Sequence, residues 1–322
     1  VKRVVVAAII LAMIVGLVGC TKAAPPKRML LGTSSATGTY YVYGAGWAKI
    51  LNDKLKTVDV SVEITGGPST NIQLIQKKEM DIGFVTTWLA GEGFNGEGWA
   101  AGQKHDRIRA IFPMYSSVLH IYTLAKTNVR SIQDVNGKHI SSGAPGSTSE
   151  AALTKIVEAL DLKPRIFSKI PSNQAIDGMK DGSIDVGFNI TGIPGPFMMD
   201  LETTHEVRHI SLTPEEVATI LELNPYWAEG VIPNGTYKHQ TEDIRTISFW
   251  NVAVVDKDLP ESLVYDIVKA TFANHSSLLT VDPNAKDTLA KNIVYSSVPL
   301  HPGAIKYYKE IGITLPDRLV PK

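Results

Sequence analysis

The sequence predicts an α/β protein built as two similar lobes with a ligand cleft between them, and three observations carry that expectation. Strand-like and helix-like segments alternate along most of the chain, the pattern of largely parallel sheets covered on both faces by helices. A segment recurs: "IQKKEMDIGFV" at 75–85 and "MKDGSIDVGFNI" at 179–190 each pass from a lysine-bearing helix end through a turn into an Asp-(Ile/Val)-Gly-Phe strand, with Asp81 and Asp185 104 residues apart. Glycine-hydroxyl loops precede amphipathic helices at nearly the same lag, Gly38 before Trp47, Ile50, Leu51 and Leu55, and Gly146 before Leu153, Ile156, Val157 and Leu160. Single cores rarely grow past about 250–300 residues, so a 322-residue chain has room for two lobes.

The chain opens with Lys2 and Arg3 ahead of the apolar run 4–18, which is short against the ~20 residues a spanning helix needs. Residues 1–19 therefore read as a signal peptide. Leu17-Val18-Gly19-Cys20 resembles a bacterial lipobox, which implies that Cys20 is lipidated and anchors the mature protein to a membrane, with residues 20–27 as a tether. Firm attachment needs more than one acyl chain. Cys20 is the only cysteine, which excludes an intrachain disulfide, a cysteine metal site and an internal thiol nucleophile. Without residues 1–19 the remaining 303 carry 30 basic and 32 acidic side chains, a balance that argues against a nucleic-acid partner. Residues 21–322 hold no run of 18 apolar residues, so no transmembrane span is expected in the mature chain.

Further along, "RMLLGTSS" and "VSVEITGG" read as strands, and "STNIQLIQKK" as a helix with Ser69, Thr70 and Asn71 available as caps. Ser147 and Glu150 form S-x-x-E, a capping box. The apolar strands "HIYTLAK" at 120–126 and "FWNVAVV" at 249–255 are placed to carry the chain between lobes. Lobe one would then be 28–122 plus 253–322, and lobe two 123–252. "DLPESLVYDIVKATFANH" reads as a long helix after Pro260, and "PGAIKYYKEIG" as a terminal helix ending near Gly312.

In open α/β sheets ligands bind beyond the carboxyl ends of the strands, where these loops belong. "GAPGSTSE" at 143–150 holds two glycines and three hydroxyls, but Ser147 stands where a phosphate-gripping P-loop has lysine. Gly146 lets backbone approach closely, and the first N–H groups of the following helix, with the Ser147 and Thr148 hydroxyls, make a cradle for a carboxylate without fixed charge. A plain helix N-cap explains the same residues equally well. "SATGTYY" is the counterpart in lobe one: Thr37, Gly38 and Thr39 as cradle, Tyr40 and Tyr41 as flat walls or as core aromatics. "ITGGPSTN" contributes Gly67, Ser69 and Asn71; "FVTTW" places Thr86 and Thr87, and "FNITGIPGP" places Asn189, Thr191 and Gly192, at strand ends. His120 is either an interlobe ligand contact or a satisfied structural histidine.

Two motifs point elsewhere. "HEVRH" at 205–209 matches the zinc-protease HExxH. The β-branched Thr203, Thr204 and Val207 and a new helix start at Thr213 make it a short strand or turn, on which the two histidines would stand about 13 Å apart. A zinc hydrolase using His205, Glu206 and His209 is the alternative function. "GEGFNG" at 91–96 matches GxGxxG but lacks the flanking strand and the downstream acid, and reads as a surface turn. There is no G-x-S-x-G elbow, and nothing calls for a cofactor.

Taken in order, "GTSSATGTYYVYGAGWAKILN", "TGGPSTNIQLIQKKEMDIGFV", "LHIYTLAKTNVRSIQDVNGKHISSGAPGSTSE", "MKDGSIDVGFNITGIPGP" and "DLPESLVYDIVKATFANH" resemble the TAXI family, the extracytoplasmic solute receptors of TRAP-type transporters. The likeness covers nearly all of the mature chain. It implies a type II periplasmic-binding-protein-like fold with two crossover strands and no enzymatic activity. It also implies capture of glutamate or a related small carboxylate and delivery to an integral-membrane permease driven by an ion gradient; a signalling partner in place of the permease is the third reading. One stretch departs from the pattern. Many relatives carry Gln-Ser after the D-φ-G-φ-V strand, where φ is apolar, whereas this chain has Thr86-Thr87-Trp88, an indole expected near the cleft that weighs against glutamate itself.

Overall fold

Lys27–Gly32 (β1) runs parallel to Val58–Glu63 (β2) and to Ile82–Thr86 (β3), forming the parallel set of lobe one. These coordinates are a computed structural model that describes residues 26–321. The expected signal peptide, the Cys20 lipidation site and most of the tether lie outside the described residues. In lobe two, His139–Ser142 (β5) runs parallel to Ile166–Lys169 (β6) and to Val186–Thr191 (β7). Two long strands join the sets, Ile108–Leu124 (β4) and Ile244–Asp256 (β10), antiparallel to one another. The sheet order is β2-β1-β3-β10-β4-β7-β5-β6; Val207–His209 (β8) pairs with β4 and Trp227–Ile232 (β9) with β10. This is the type II two-lobed fold with two crossover strands.

The crossing point is visible in the packing. Along β4 the side chains up to Tyr115 belong to the lobe-one core, and those from Val118 onward alternate between the two cores on either face of the lobe-two sheet; along β10 the switch falls between Phe249 and Val252. The β4–β10 register is irregular between Trp250 and Val252, and an irregularity of this kind bends a strand and frees it to re-aim side chains.

The repeated segment has a physical role. Asp81 accepts the Leu30 N–H at 3.0 Å and Asp185 accepts the His139 N–H at 2.8 Å, so in each lobe the aspartate before the third strand ties it to the first. Each following glycine is a point of close approach: a Cβ on Gly83 would lie 3.0 Å from the Asn71 side chain, and one on Gly187 2.3 Å from the Tyr122 ring. Phe84 and Phe188 then fill the two cores.

The helices follow the apolar periodicities with instructive exceptions. Thr39–Lys54 (α1) buries Tyr43, Trp47, Ile50 and Leu51. Pro68–Gln76 (α2) starts on Gly67 at φ 118° with no side-chain cap, so the expected caps are unused; the Ser69 N–H that a cap would serve donates to the Gly146 carbonyl at 3.1 Å. Thr87–Asn95 (α3) contains most of "GEGFNG". The expected surface turn is thus corrected to buried helix, closed by Gly96 in the left-handed region, because Gly93 admits the Trp99 ring where a Cβ would collide and Gly91 lets Ser297 pack closely. Before Thr148–Ala159 (α4) Ser147 Oγ accepts the Glu150 N–H at 3.2 Å, but Glu150 turns to Lys169 at 2.5 Å, leaving only half of the expected capping box. Ser172–Asp181 (α5), Pro196–Thr204 (α6) and Pro214–Leu221 (α7) complete lobe two. Glu261–Ala273 (α8), His275–Val281 (α9) and Pro302–Glu310 (α10) cover lobe one.

Candidate functional site: a neutral cavity between the lobes

Where β4 and β10 cross, the lobes form a small, partly open cavity of about 60 Å³. Five helices begin at its wall: α1 through Gly38, Thr39 and Tyr40, α2 through Pro68, α3 through Thr86, α4 through Ser147, Thr148 and Ser149, and α5 through Pro171 and Ser172. The first N–H groups of a helix lack intrahelical partners and sit at the positive end of its dipole. Five such ends around one small space favour negative charge, although no lining residue is itself charged.

The wall hydroxyls share one arrangement. Ser117 Oγ accepts the Asn251 amide at 2.9 Å, Ser147 the Glu150 N–H at 3.2 Å, Ser149 the Ile190 N–H at 2.8 Å, and Ser172 the Asn189 amide at 2.9 Å. A hydroxyl that already accepts keeps its proton to donate. The Asn189 and Asn251 carbonyl oxygens are occupied in turn, each accepting a tyrosine hydroxyl at 2.6 Å, from Tyr122 and Tyr40 respectively. The Tyr115 hydroxyl is fully buried beside Thr39, whose own hydroxyl is bonded to Thr191 and the Gly192 N–H. Burial pushes the Tyr115 and Tyr40 phenols well above their ordinary range, so both stay protonated.

A seam of direct contacts closes the lobes around the cavity. Thr39 and Thr191 hydroxyls meet at 2.7 Å, the Gly192 N–H donates to Thr39 at 3.2 Å, the Ile193 N–H to Asn284 at 2.7 Å, and the Ser69 N–H to the Gly146 carbonyl at 3.1 Å. Glycines make these approaches possible. A Cβ on Gly67 would lie 3.0 Å from Ser147 Cα, and one on Gly192 2.6 Å from the Asn284 amide.

Of the residues singled out from sequence, Gly38, Thr39, Tyr40, Thr86, Ser147, Thr148 and Asn189 line the cavity. Gly67, Ser69, Gly146 and Gly192 belong to the seam. Four are not brought to the cavity. Thr37 lines an adjoining hollow with Val42 and Asp200. Asn71 is a fully buried brace donating to the Gly32, Thr33 and Phe84 carbonyls. Thr87 offers its carbonyl to Ser297. His120 is held by the Tyr237 hydroxyl at 2.7 Å and is driven down by burial to about 3, hence neutral. Trp88 does not reach the cavity either; it packs edge-on against Trp227 in the second core, 4.8 Å between centroids, which removes the indole as a reason against any solute. Tyr115, Ser117, Ser149, Ser172 and Asn251 were not singled out. Ser149 and Ser172 follow the same helix-start logic, but the other three sit in apolar strands where only an isolated polar residue marks them.

The HExxH histidines fall on different elements. His205 ends α6 and bonds Thr204, while His209 closes β8 and stacks on Tyr237 at 4.5 Å, with Glu202 3.5 Å away. Among the described residues no group of three or more His, Cys, Asp or Glu could hold a metal, and no helix is long and apolar enough to cross a membrane.

Parallel strand sets in two lobes, joined by two crossovers with helix N-termini closing on a shared cavity, define the type II periplasmic-binding-protein fold. The chain belongs to the NMT1-like family, whose pattern matches residues 31–312. Solved structures repeat the fold. A putative L-cystine ABC transporter protein of Listeria monocytogenes superposes with a TM-score of 0.50 at 13% identity, covering 83% of this chain and 97% of that one. A periplasmic transporter protein gives 0.53 at 11% identity, covering 90% and 94%. A chain from the glutathione and cystine import system (GshT and TcyBC) of Streptococcus mutans gives 0.50 at 14% identity, covering 82% and 97%.

Proposed function

We propose that this protein is an extracytoplasmic solute-binding receptor that captures a small organic anion between its lobes and delivers it to a membrane permease, with no covalent bond made or broken. The observation that carries this reading is the uncharged interlobe cavity walled by helix N-termini and free hydroxyl protons. Donors fixed in a water-poor space bind an anion more strongly than the same groups in solution, and neutral donors release it more readily than a buried arginine would. Ser147 and Thr148 serve as carboxylate contacts and Tyr40 as a wall for the carbon skeleton, while Thr39 closes the lobes over the solute. The lobes, drawn from sequence as 28–122 plus 253–322 and 123–252, hinge where the crossover strands change cores, between Tyr115 and Val118 on β4 and between Phe249 and Val252 on β10.

A small carboxylate, glutamate or a relative of it, is the solute class that the motif resemblance supports. The same ordered motifs support a TRAP-type permease as the partner, and the lipobox-like stretch supports a membrane anchor at Cys20. Two measurements test this. Protein unfolded, stripped of solute and refolded is titrated with small carboxylates by thermal shift and calorimetry; a 100-fold excess over Kd adds about 2.7 kcal/mol of stability, and indifference to every carboxylate sinks the reading. Uptake into vesicles carrying the permease is then driven by an ion gradient without ATP; a requirement for ATP excludes the TRAP assignment and leaves the receptor role standing.

A further inference from the structure

We infer that Asp282 and Asn284 form a latch that holds the two lobes closed: Asn284 grips the loop after β7, and Asp282 is the positioning residue that keeps its amide turned the right way. The inference concerns how the proposed receptor retains its solute, and rests on that reading. The loop Gly192-Ile193-Pro194-Gly195 has three N–H groups, since proline has none. That of Gly192 donates to Thr39 Oγ1 at 3.2 Å, that of Ile193 to Asn284 Oδ1 at 2.7 Å, and that of Gly195 to the Tyr237 hydroxyl at 2.7 Å. Tyr237 belongs to a lobe-two core against which Ile193 packs, whereas Ala285, beside Asn284, lies in the lobe-one core. The loop therefore moves with lobe two, and the Ile193–Asn284 bond exists only while the lobes meet.

An amide has nearly the same shape either way round but opposite chemistry at its two ends. Ile193 offers a donor, so the Asn284 oxygen must face it. Asp282 enforces that orientation: its Oδ1 accepts the Asn284 Nδ2 at 2.8 Å and the Asn284 main-chain N–H at 2.9 Å. Turned over, the amide would set its NH2 against the Ile193 N–H and its oxygen against a carboxylate, trading two hydrogen bonds for two repulsions. Asp282 and Asn284 are buried, at 3% and 4% exposure, so water does not readily take over either bond. The fit is close. A Cβ on Gly192 would lie 2.6–2.7 Å from the carbon, nitrogen and oxygen of the Asn284 amide. Neither Asp282 nor Asn284 lines the cavity, so the pair acts on closure and not on the solute itself.

The test compares wild type with Asn284→Ala, Asp282→Ala and Asp282→Asn, each stripped and refolded, by solution scattering and calorimetry. The probes are L-glutamate, 2-oxoglutarate and succinate in turn, replaced by whichever carboxylate of the wider screen binds if none of the three does. With the probe bound, both alanine variants are expected to keep a larger radius of gyration than wild type and to bind about fivefold more weakly, the loss of one hydrogen bond. Asp282→Asn keeps an Oδ1 in place and should close as wild type does; a variant as open as Asp282→Ala overturns the positioning role. Asn284→Ala leaves intact the main-chain N–H that Asp282 caps, so it decides the matter even where Asp282→Ala fails to fold. Alanine variants that close and bind like wild type, even with a lowered melting temperature, overturn the latch and leave the receptor standing. A wild type that binds no carboxylate at all overturns the receptor reading and the latch with it.

Discussion

Tyr115 brings a buried hydroxyl to the cavity wall, where its polar neighbour Thr39 is already bonded to Thr191 and Gly192, and that fixes the sign of two effects of removing its oxygen. Tyr115→Phe deletes a hydrogen bond to a charged solute, so affinity should fall about tenfold by calorimetry. The same change removes a hydroxyl whose one protein neighbour, Thr39, keeps its bonds to Thr191 and Gly192, so thermal stability without solute should change little; a clear loss would mean that the hydroxyl is structural. Asn71 predicts the contrary split. It braces three carbonyls of β1, β3 and the turn after β1, so Asn71→Leu should cost roughly 2–4 kcal/mol in urea unfolding. Histidine burial adds a pH dependence. Burial holds His120 at about 3, and lowers His105, His209 and His301 as well. Below the unfolded value near 6.5 the unfolded chain takes up protons that the folded chain refuses, so stability is fully present above that pH and falls as pH drops toward 3. His120 alone contributes up to about 1.4 kcal/mol per pH unit in that window. Urea midpoints measured from pH 7.5 to 4.5 check it; a flat profile contradicts the burial argument.

At the scale of elements, the recurring Asp-(Ile/Val)-Gly-Phe segment was readable because each position answers a local need of a parallel strand pair: an acceptor for the neighbouring strand, a gap, and a core ring. Asp185→Ala removes the acceptor of the His139 N–H and should destabilise by about 1–3 kcal/mol, read as protection from hydrogen exchange lost first along β5 and β7. Loss of exchange protection elsewhere, with these strands intact, would refute the assigned tie. The elements misread from sequence share one cause. "GEGFNG" looks like a turn because glycine is common in turns, yet here glycine is what lets α3 lie against Trp99 and Ser297. The S-x-x-E box half-formed because Lys169, nineteen residues on, competes for Glu150.

For the whole molecule, the seam glycines set how far the lobes close. Gly192→Ala puts a methyl carbon 2.6 Å from the Asn284 side chain, so it should hold the lobes apart, raise the radius of gyration in solution scattering and weaken solute binding, with little change in the unfolding midpoint of the solute-free protein. Unchanged scattering with unchanged affinity would remove the seam from the closing mechanism. What the sequence determined by itself was everything written in local chemistry: alternating strands and helices, the duplicated lobe plan, and helix-start loops without lysine, since periodicity and capping depend on neighbours within a few residues. Which hydroxyls face the cavity, that Tyr115, Ser117 and Asn251 join them from the middle of apolar strands, and that Trp88, Asn71 and His120 do not, was decided only in the tertiary structure. A side chain's partner there comes from a residue as many as 245 positions away, as in the Tyr43–Thr288 bond, and no local pattern encodes which groups will meet.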